Sequence, residues 1–167
     1  MLLILLRFGN NIVPYFFPSM HEIFYADDDI DDIDIFAHAI KILKEKRSLL
    51  LDLHVFNDGN SLLQTIVNKG ISNATVFLDI NMPGKTGLQV LGEIRQMQSF
   101  RQTPVVMYST SADADSISKS RSMGASLYAI KPNSFVEMNE LLLKILNINW
   151  ENHIVDDTNF VINKDRG

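Results

Sequence analysis

The chain predicts an α/β domain built as a doubly wound parallel sheet, and three observations carry that expectation. From residue 21 onward, short apolar runs alternate with segments of helical period, five of each, which is the pattern of successive βα units. One run, Ala74–Leu78, is almost continuously apolar, as a central parallel strand covered on both faces requires. With 167 residues, 46% of them hydrophobic, the chain is long enough for one domain with a core and too apolar for disorder.

Each element follows from its local pattern. Glu22–Ala26 reads as the first strand. Ile33, Phe36, Ala37, Ile40 and Leu43 then recur at helical spacing and form one apolar face of a first helix. Leu51–Phe56 reads as a second strand, ended by the turn signal Asn57-Asp58-Gly59. Ser61–Asn68 suits a short helix stopped by Gly70. Ala74–Leu78 is the third strand, followed by the loop "NMPGKTG" and a helix from Leu88 to about Met97. Pro104–Tyr108 is a fourth strand and Ala112–Met123 a more polar helix, closed by Gly124. Ser126–Ile130 is the fifth strand, and Phe135–Leu146 the last helix, with Leu141, Leu142, Ile145 and Leu146 inward. No period is visible from residue 149 to 167, which reads as a tail after a domain spanning 21–148.

Residues 1–20, "MLLILLRFGNNIVPYFFPSM", read as an extension outside the core, with Met20 an alternative start. Their apolar run stops at Arg7, short of the roughly 20 residues a membrane helix needs. The positive charge follows that run, whereas a signal peptide places it before. No membrane association is expected.

Charge is concentrated rather than spread. Six aspartates, Asp27, Asp28, Asp29, Asp31, Asp32 and Asp34, fall within eight positions. Net charge is −5, and setting those six aside leaves +1. No basic excess of the kind that attracts nucleic acid exists. Cysteine is absent, which excludes disulfide scaffolds and thiolate metal sites and fits a reducing compartment.

In a doubly wound sheet the ligand site lies at the carboxyl ends of the strands. Asp27 and Asp28 follow the first strand, Asp79 the third, Ser109 the fourth, and Lys131-Pro132 the fifth. Three carboxylates brought together repel one another and raise their pKa values. A hard divalent cation removes that penalty, and Mg²⁺ favours such oxygen ligands. With a lysine and a hydroxyl beside them, these residues form a site suited to phosphate. His21, His38, His54 and His153 lack ligand spacing and read as ordinary histidines. The loop holding Gly84 and Gly87 lacks the spacing of a nucleotide-binding fingerprint.

The stretches "IFYADDD", "VFLDINMPGKTG", "PVVMYSTS" and "LYAIKP" resemble the receiver domain of two-component response regulators, over residues 21 to about 147. The resemblance implies a flavodoxin-like (βα)5 three-layer sandwich with a five-stranded parallel sheet in the order 2-1-3-4-5. It makes Asp79 the phosphoacceptor, attacking a phosphohistidine of a sensor histidine kinase or histidine phosphotransfer protein. It implies Mg²⁺ (or Mn²⁺) on Asp27, Asp28, Asp79 and the Asn81 carbonyl, neutralising charge in the transition state. Lys131 and Ser109 would take phosphoryl oxygens, helped by the Met82 amide. Tyr128 sits where the family places its switch aromatic, and Pro132 where it usually holds a cis peptide. Phosphorylation would bias the face of helix four, strand five and helix five, either toward an unidentified protein target or in a phosphorelay, as a cytoplasmic monomer or weak homodimer through that face.

Within the acidic run, Asp29 is expected to cap the first helix. Asp31 and Asp32 should lie in its first turn, where the helix dipole favours anions, and Asp34 on solvated surface. The chain departs from the family in carrying Ser109 where Thr is commoner and Thr110 where a smaller residue is usual. The tail after the last helix reads as too short for an output domain, so a stand-alone receiver is expected, and no enzyme. The alternative is a degenerate receiver acting as a phosphorylation-independent interaction module, against which the full set of Asp28, Asp79, Ser109 and Lys131 argues. A metal-dependent phosphohydrolase on a similar sheet would want an acid two residues after its nucleophile, where Asn81 stands.

Overall fold

In the computed structural model, residues 2–8, 11–17, 20–153, 155–156 and 159–162 are described. Two strands, β1 (Leu2–Phe8) and β2 (Asn11–Phe17), pair antiparallel with Phe8 opposite Asn11 and form a sheet of their own. The extension expected outside the core is therefore a β-hairpin. Its signal was present in the sequence as two apolar runs separated by Gly9-Asn10.

The alternating units follow as β3 (His21–Ala26), α1 (Ile30–Arg47), β4 (Leu51–Phe56), α2 (Gly59–Lys69), β5 (Ala74–Leu78), α3 (Gly87–Gln96), β6 (Val105–Ser109), α4 (Ala114–Ser122), β7 (Leu127–Ile130) and α5 (Phe135–Leu146). The expected bounds of every element but α1 lie within two residues of these; for α1 the expectation was only the apolar face from Ile33 to Leu43, and the helix runs about a turn beyond it at each end. β3 to β7 pair parallel in the spatial order β4-β3-β5-β6-β7, the 2-1-3-4-5 arrangement. The structure adds a sixth strand, β8 (Val161–Ile162), parallel to β7 with Val161 opposite Tyr128. The segment expected to be a plain tail thus covers the sheet edge, where unpaired backbone groups would otherwise stand. Phe160 anchors it, only 2% exposed, and its carbonyl accepts the Tyr128 amide at 2.8 Å.

The sheet divides the core into two layers. On one face Leu62 and Ile66 of α2 and Val90, Leu91 and Ile94 of α3 pack against Phe24, Val76 and Met107. On the other, Phe36, Ala39, Ile40 and Leu43 of α1 join Leu141, Leu142 and Ile145 of α5 against Ile23, Tyr25 and Phe77. All five residues of β5 and of β6 are buried, which is why those runs lack alternation. α4 fully buries only Ser120, with Ile117 half-buried against the core.

Side chains fix the helix starts. Asp29, Asp58, Thr86, Asp113 and Ser134 cap α1 to α5 in turn, each accepting amide hydrogen bonds from the first helical turn. The Asp29 cap is the one the sequence predicts. Gly70 ends α2 with φ 67° and Gly124 follows α4 with φ 87°, conformations that glycine adopts without strain.

Candidate functional site

Four strands deliver their last residues to one rim. Asp27 leaves β3 with 1% of its surface exposed, Asp79 leaves β5 at 7%, and Ser109 closes β6 fully buried. Lys131 follows β7, with its amide bound to the Ser109 carbonyl at 2.8 Å. The Asp79 amide in turn binds the Ala26 carbonyl at 2.9 Å, so the β3 and β5 exits are locked in register. Gly87 lets the next loop fold back. A Cβ there would stand 2.0 Å from the Asp79 carbonyl oxygen, a contact only glycine avoids.

Lys131 Nζ is the centre of the charge arrangement. It lies 2.6 Å from Asp27 Oδ2, 2.8 Å from Asp32 Oδ2 and 3.1 Å from Asp79 Oδ1. Burial pushes the ammonium pKa down, but hydrogen bonds to Asp27 and Asp32 and the charges of Asp79 and Asp27 outweigh it, so the net shift is upward. Lys131 therefore stays charged. Asp27 Oδ2 also accepts the Tyr25 hydroxyl. Tyr25 is itself raised well above its ordinary pKa, first by burial and then by the Asp27 charge. Asp27 Oδ1 accepts the Asp29 amide at 3.1 Å and Asp79 Oδ2 the Asn81 amide at 2.6 Å.

Oxygen atoms of Asp27, Asp28 and Asp79 lie within 4.8 Å of one another. With Asp32 they place four carboxylates against one ammonium. Three hard oxygen donors in that space, one of them exposed, fit a Mg²⁺-like cation that keeps part of its water shell. The excess negative charge supplies the electrostatic reason for one to bind.

Other expected residues take the following places. Asn81 is exposed and beside Asp79, whereas Met82 is buried at 3% with its side chain in the core. The Ser111 amide donates to Ser109 Oγ at 3.3 Å. Tyr128 is fully buried, and its hydroxyl donates to the Ser111 carbonyl at 2.9 Å. The buried arrangement of the expected switch is thus the one observed, pinning the loop between β6 and α4. The peptide before Pro132 is trans, correcting the cis expectation. Trans is the favoured X–Pro isomer by about 0.5–1 kcal/mol, and Lys131 reaches all three carboxylates with it. Asp31 and Asp34 are exposed, as expected.

Asp32 corrects the reading as a helix-dipole residue alone. It binds Lys131 from the first turn of α1. Its place in the first turn of α1, directly after the acidic pair that ends β3, was the signal that it could face the same rim.

The histidines behave as ordinary side chains. His21 bridges Asn73 and Thr75. His54 lies with Glu22 and Asp52 near the opposite end of the strands, close enough in spacing to hold an ion. There, however, Lys69 Nζ pairs with Glu22 and lies 2.8 Å from His54 Nε2, so the cluster already has its cation.

Comparison with known proteins agrees with this geometry. The response regulator receiver domain profile matches residues 29–143, more than half of the chain. Asp79, Ser109 and Lys131 fall inside that span, and Asp27 and Asp28 directly precede it. The chemotaxis protein CheY of Pseudomonas aeruginosa is 30% identical over 118 residues, 68% of this chain and 91% of that protein. The two-component response regulator ARR9 of Arabidopsis thaliana is 26% identical over 102 residues, 60% of this chain. That match spans only 44% of ARR9, so the chain corresponds to less than half of that relative. The Mn²⁺-bound form of response regulator Rcp1 superposes with a TM-score of 0.66 at 21% identity, covering 81% of this chain and 98% of that one; this is a likeness of fold.

Proposed function

The chain belongs to the response regulator receiver domain family, and from that premise we propose that it is a single-domain regulator that accepts a phosphoryl group on Asp79. One observation carries the reading. Asp79, at the carboxyl end of the central strand, is the buried carboxylate that faces both Lys131, 3.1 Å away, and the acidic pair Asp27 and Asp28.

The donor is a phosphohistidine of a sensor histidine kinase or a histidine phosphotransfer protein. A carboxylate oxygen of Asp79 attacks phosphorus, the P–N bond breaks, and the electron pair leaves with the imidazole. The Asn81 amide on Asp79 Oδ2 orients the carboxylate. Lys131, released from part of its carboxylate shell, pairs with one phosphoryl oxygen, and the Ser109 hydroxyl donates to another. Asp27, Asp28 and Asp79, with the Asn81 carbonyl, are the residues that would hold Mg²⁺ or Mn²⁺. When bound, the ion supplies the positive charge that offsets the charge gathering on the transferred group. Asp27 keeps Lys131 in place through the 2.6 Å contact.

Signalling then runs through α4, β7 and α5. Ser109 and Lys131 border that face, and the Tyr128–Ser111 hydrogen bond ties the β6–α4 loop to β7. A pull on Ser109 reaches Ser111 and so changes how Tyr128 is held. The output is contact with a protein target or onward phosphotransfer, in the cytoplasm, with the chain a monomer or a weak homodimer through the same face. The chain carries its own phosphoryl group and is not a turnover enzyme. Among the described residues no helix is long and apolar enough to cross a membrane.

The test is direct. Incubation with Mg²⁺ and a small phosphodonor should add the mass of one phosphoryl group, and Asp79→Ala should abolish the addition. Retention of the added mass in that variant overturns the assignment.

A further inference from the structure

Tyr108, the residue before Ser109 on β6, carries a hydroxyl that the unphosphorylated structure does not use. Its side chain is 1% exposed, and the hydroxyl oxygen is buried without a hydrogen-bond partner among the described residues. A buried hydroxyl left unpaired costs stability. Packing does not require it. The Tyr108 ring meets Phe36 at 5.7 Å and Phe77 at 6.1 Å between ring centres, both edge to face, and those neighbours fill the same layer as plain phenylalanines. Tyr25 makes the contrast. Its ring lies 5.9 Å from that of Tyr108, and its hydroxyl donates to Asp27 Oδ2. Of two buried tyrosines side by side, only Tyr25 has an acceptor.

The groups around Tyr108 identify an acceptor for it. Lys131 Nζ stands 5.6 Å from its ring centre. Burial pushes the phenol pKa up, Lys131 pulls it down, and the charges of Asp32 and Asp27 push it up further. Asp32 therefore lies close enough for its charge to act on the phenol, although here it is bound to Lys131 at 2.8 Å. An ammonium has three N–H donors, and the three carboxylates of Asp27, Asp32 and Asp79 surround that of Lys131. A phosphoryl group on Asp79 brings more negative charge than the carboxylate it replaces and draws the ammonium toward it. Asp27, its side chain 2% exposed, would be a buried charge short of its cation if Lys131 released it. Asp32, its side chain 36% exposed, is the carboxylate that Lys131 gives up at least cost.

We propose that Tyr108 is a positioning residue for the phosphorylated state, its hydroxyl donating to the Asp32 carboxylate that Lys131 releases. That bond keeps Asp32 from recapturing the ammonium, so Lys131 stays on the phosphoryl oxygen. Tyr25 holds Asp27 in both states, and Tyr108 holds Asp32 in one. The proposal rests on Asp79 as the phosphoacceptor.

The test compares two states of the full chain. Beryllofluoride, whose fluorines stand in for phosphoryl oxygens, should be titrated in with Mg²⁺ while the Ser109 and Lys131 amide signals are followed. Tyr108→Phe keeps the ring and should weaken beryllofluoride binding roughly tenfold, the scale of one hydrogen bond to a charged group. In EDTA without beryllofluoride, the same variant should unfold at an equal or higher urea concentration, because it loses only an unpaired hydroxyl. Tyr25→Phe should unfold at a lower one, since it strips a donor from buried Asp27. A tyrosine that merely packs would weaken both states alike. In an Asp32→Ala background, Tyr108→Phe should have no further effect on beryllofluoride binding. Failure of the parent chain to bind beryllofluoride overturns the Asp79 reading and this proposal with it. Equal binding by the parent and Tyr108→Phe overturns this proposal alone and shows that water receives Asp32. A lower urea midpoint for Tyr108→Phe in EDTA, or equal weakening by it with and without Asp32, also overturns it.

Discussion

Lys131 shows what a single side chain does at this site. Held by Asp27, Asp32 and Asp79, it offsets part of a carboxylate cluster that would otherwise repel itself. Lys131→Met should therefore destabilise the protein in EDTA by about 3 kcal/mol, the scale of a buried pair broken on one side. Urea unfolding with and without Mg²⁺ checks this, and the deficit should shrink with the ion present. An equal deficit in both conditions would mean that no cation substitutes for the lysine there. Asp32 plays the opposite part, since it competes for Lys131. Asp32→Asn should speed acquisition of the phosphoryl group severalfold while changing stability by less than about 1 kcal/mol, because the pair is partly exposed. A slower reaction would instead make Asp32 a positioning residue for the ammonium. Asp27, Asp28, Asp79 and Lys131 were legible in the sequence because a charged residue ending an apolar strand has few other reasons to be there. Asp32 was not, because helix-dipole stabilisation already explained an acid in a first turn. The trans Lys131–Pro132 peptide was equally invisible, since both isomers share one sequence.

Among the helices, α4 is the one least tied to the core. Its apolar contribution is small, and its start depends on Asp113, which accepts the Ser116 amide at 2.8 Å and the Ser111 hydroxyl. Those bonds, the Ser111 one foremost, hold the Asp113 carboxyl at about 2, below its ordinary 3.8. Because the folded value is the lower one, the capping contribution is complete above pH 3.8 and is lost as the pH falls toward 2. The Ser116 amide signal should titrate with a midpoint well below 3.8, and a midpoint at 3.8 would show the cap to be absent in solution. Amides of α4 should also exchange with solvent faster than those of α3 or α5. β8 makes the contrasting case. Two residues carry no periodicity, so sequence pattern could not announce the strand. Its stability rests on Phe160, and Phe160→Ala should cost about 3 kcal/mol, as for other buried aromatics. A cost under about 0.5 kcal/mol would mean that the tail does not dock in solution.

At the scale of the whole molecule, the parallel sheet carries carboxylates at one end and arginines at the other, with apolar layers on both faces. That sheet was legible because each βα unit repeats the same switch from an apolar run to a helical period. The hairpin was less so, because an apolar run broken at Arg7 resembles a short membrane segment as much as a strand, and only the Gly9-Asn10 pair separates it from the next apolar run. β1 and β2 form a sheet separate from the six-stranded one, and the first core strand starts at His21 with its amide bound to the Leu50 carbonyl at 2.8 Å. The chain beginning at Met20 should therefore fold, take up a phosphoryl group on Asp79 at the unshortened rate, and melt within a few degrees of the full chain. A stability loss above about 2 kcal/mol, a large fraction of a domain's total, would show that the hairpin packs on the core. Unchanged stability with slower phosphorylation would place the hairpin instead at the surface where the phosphodonor docks.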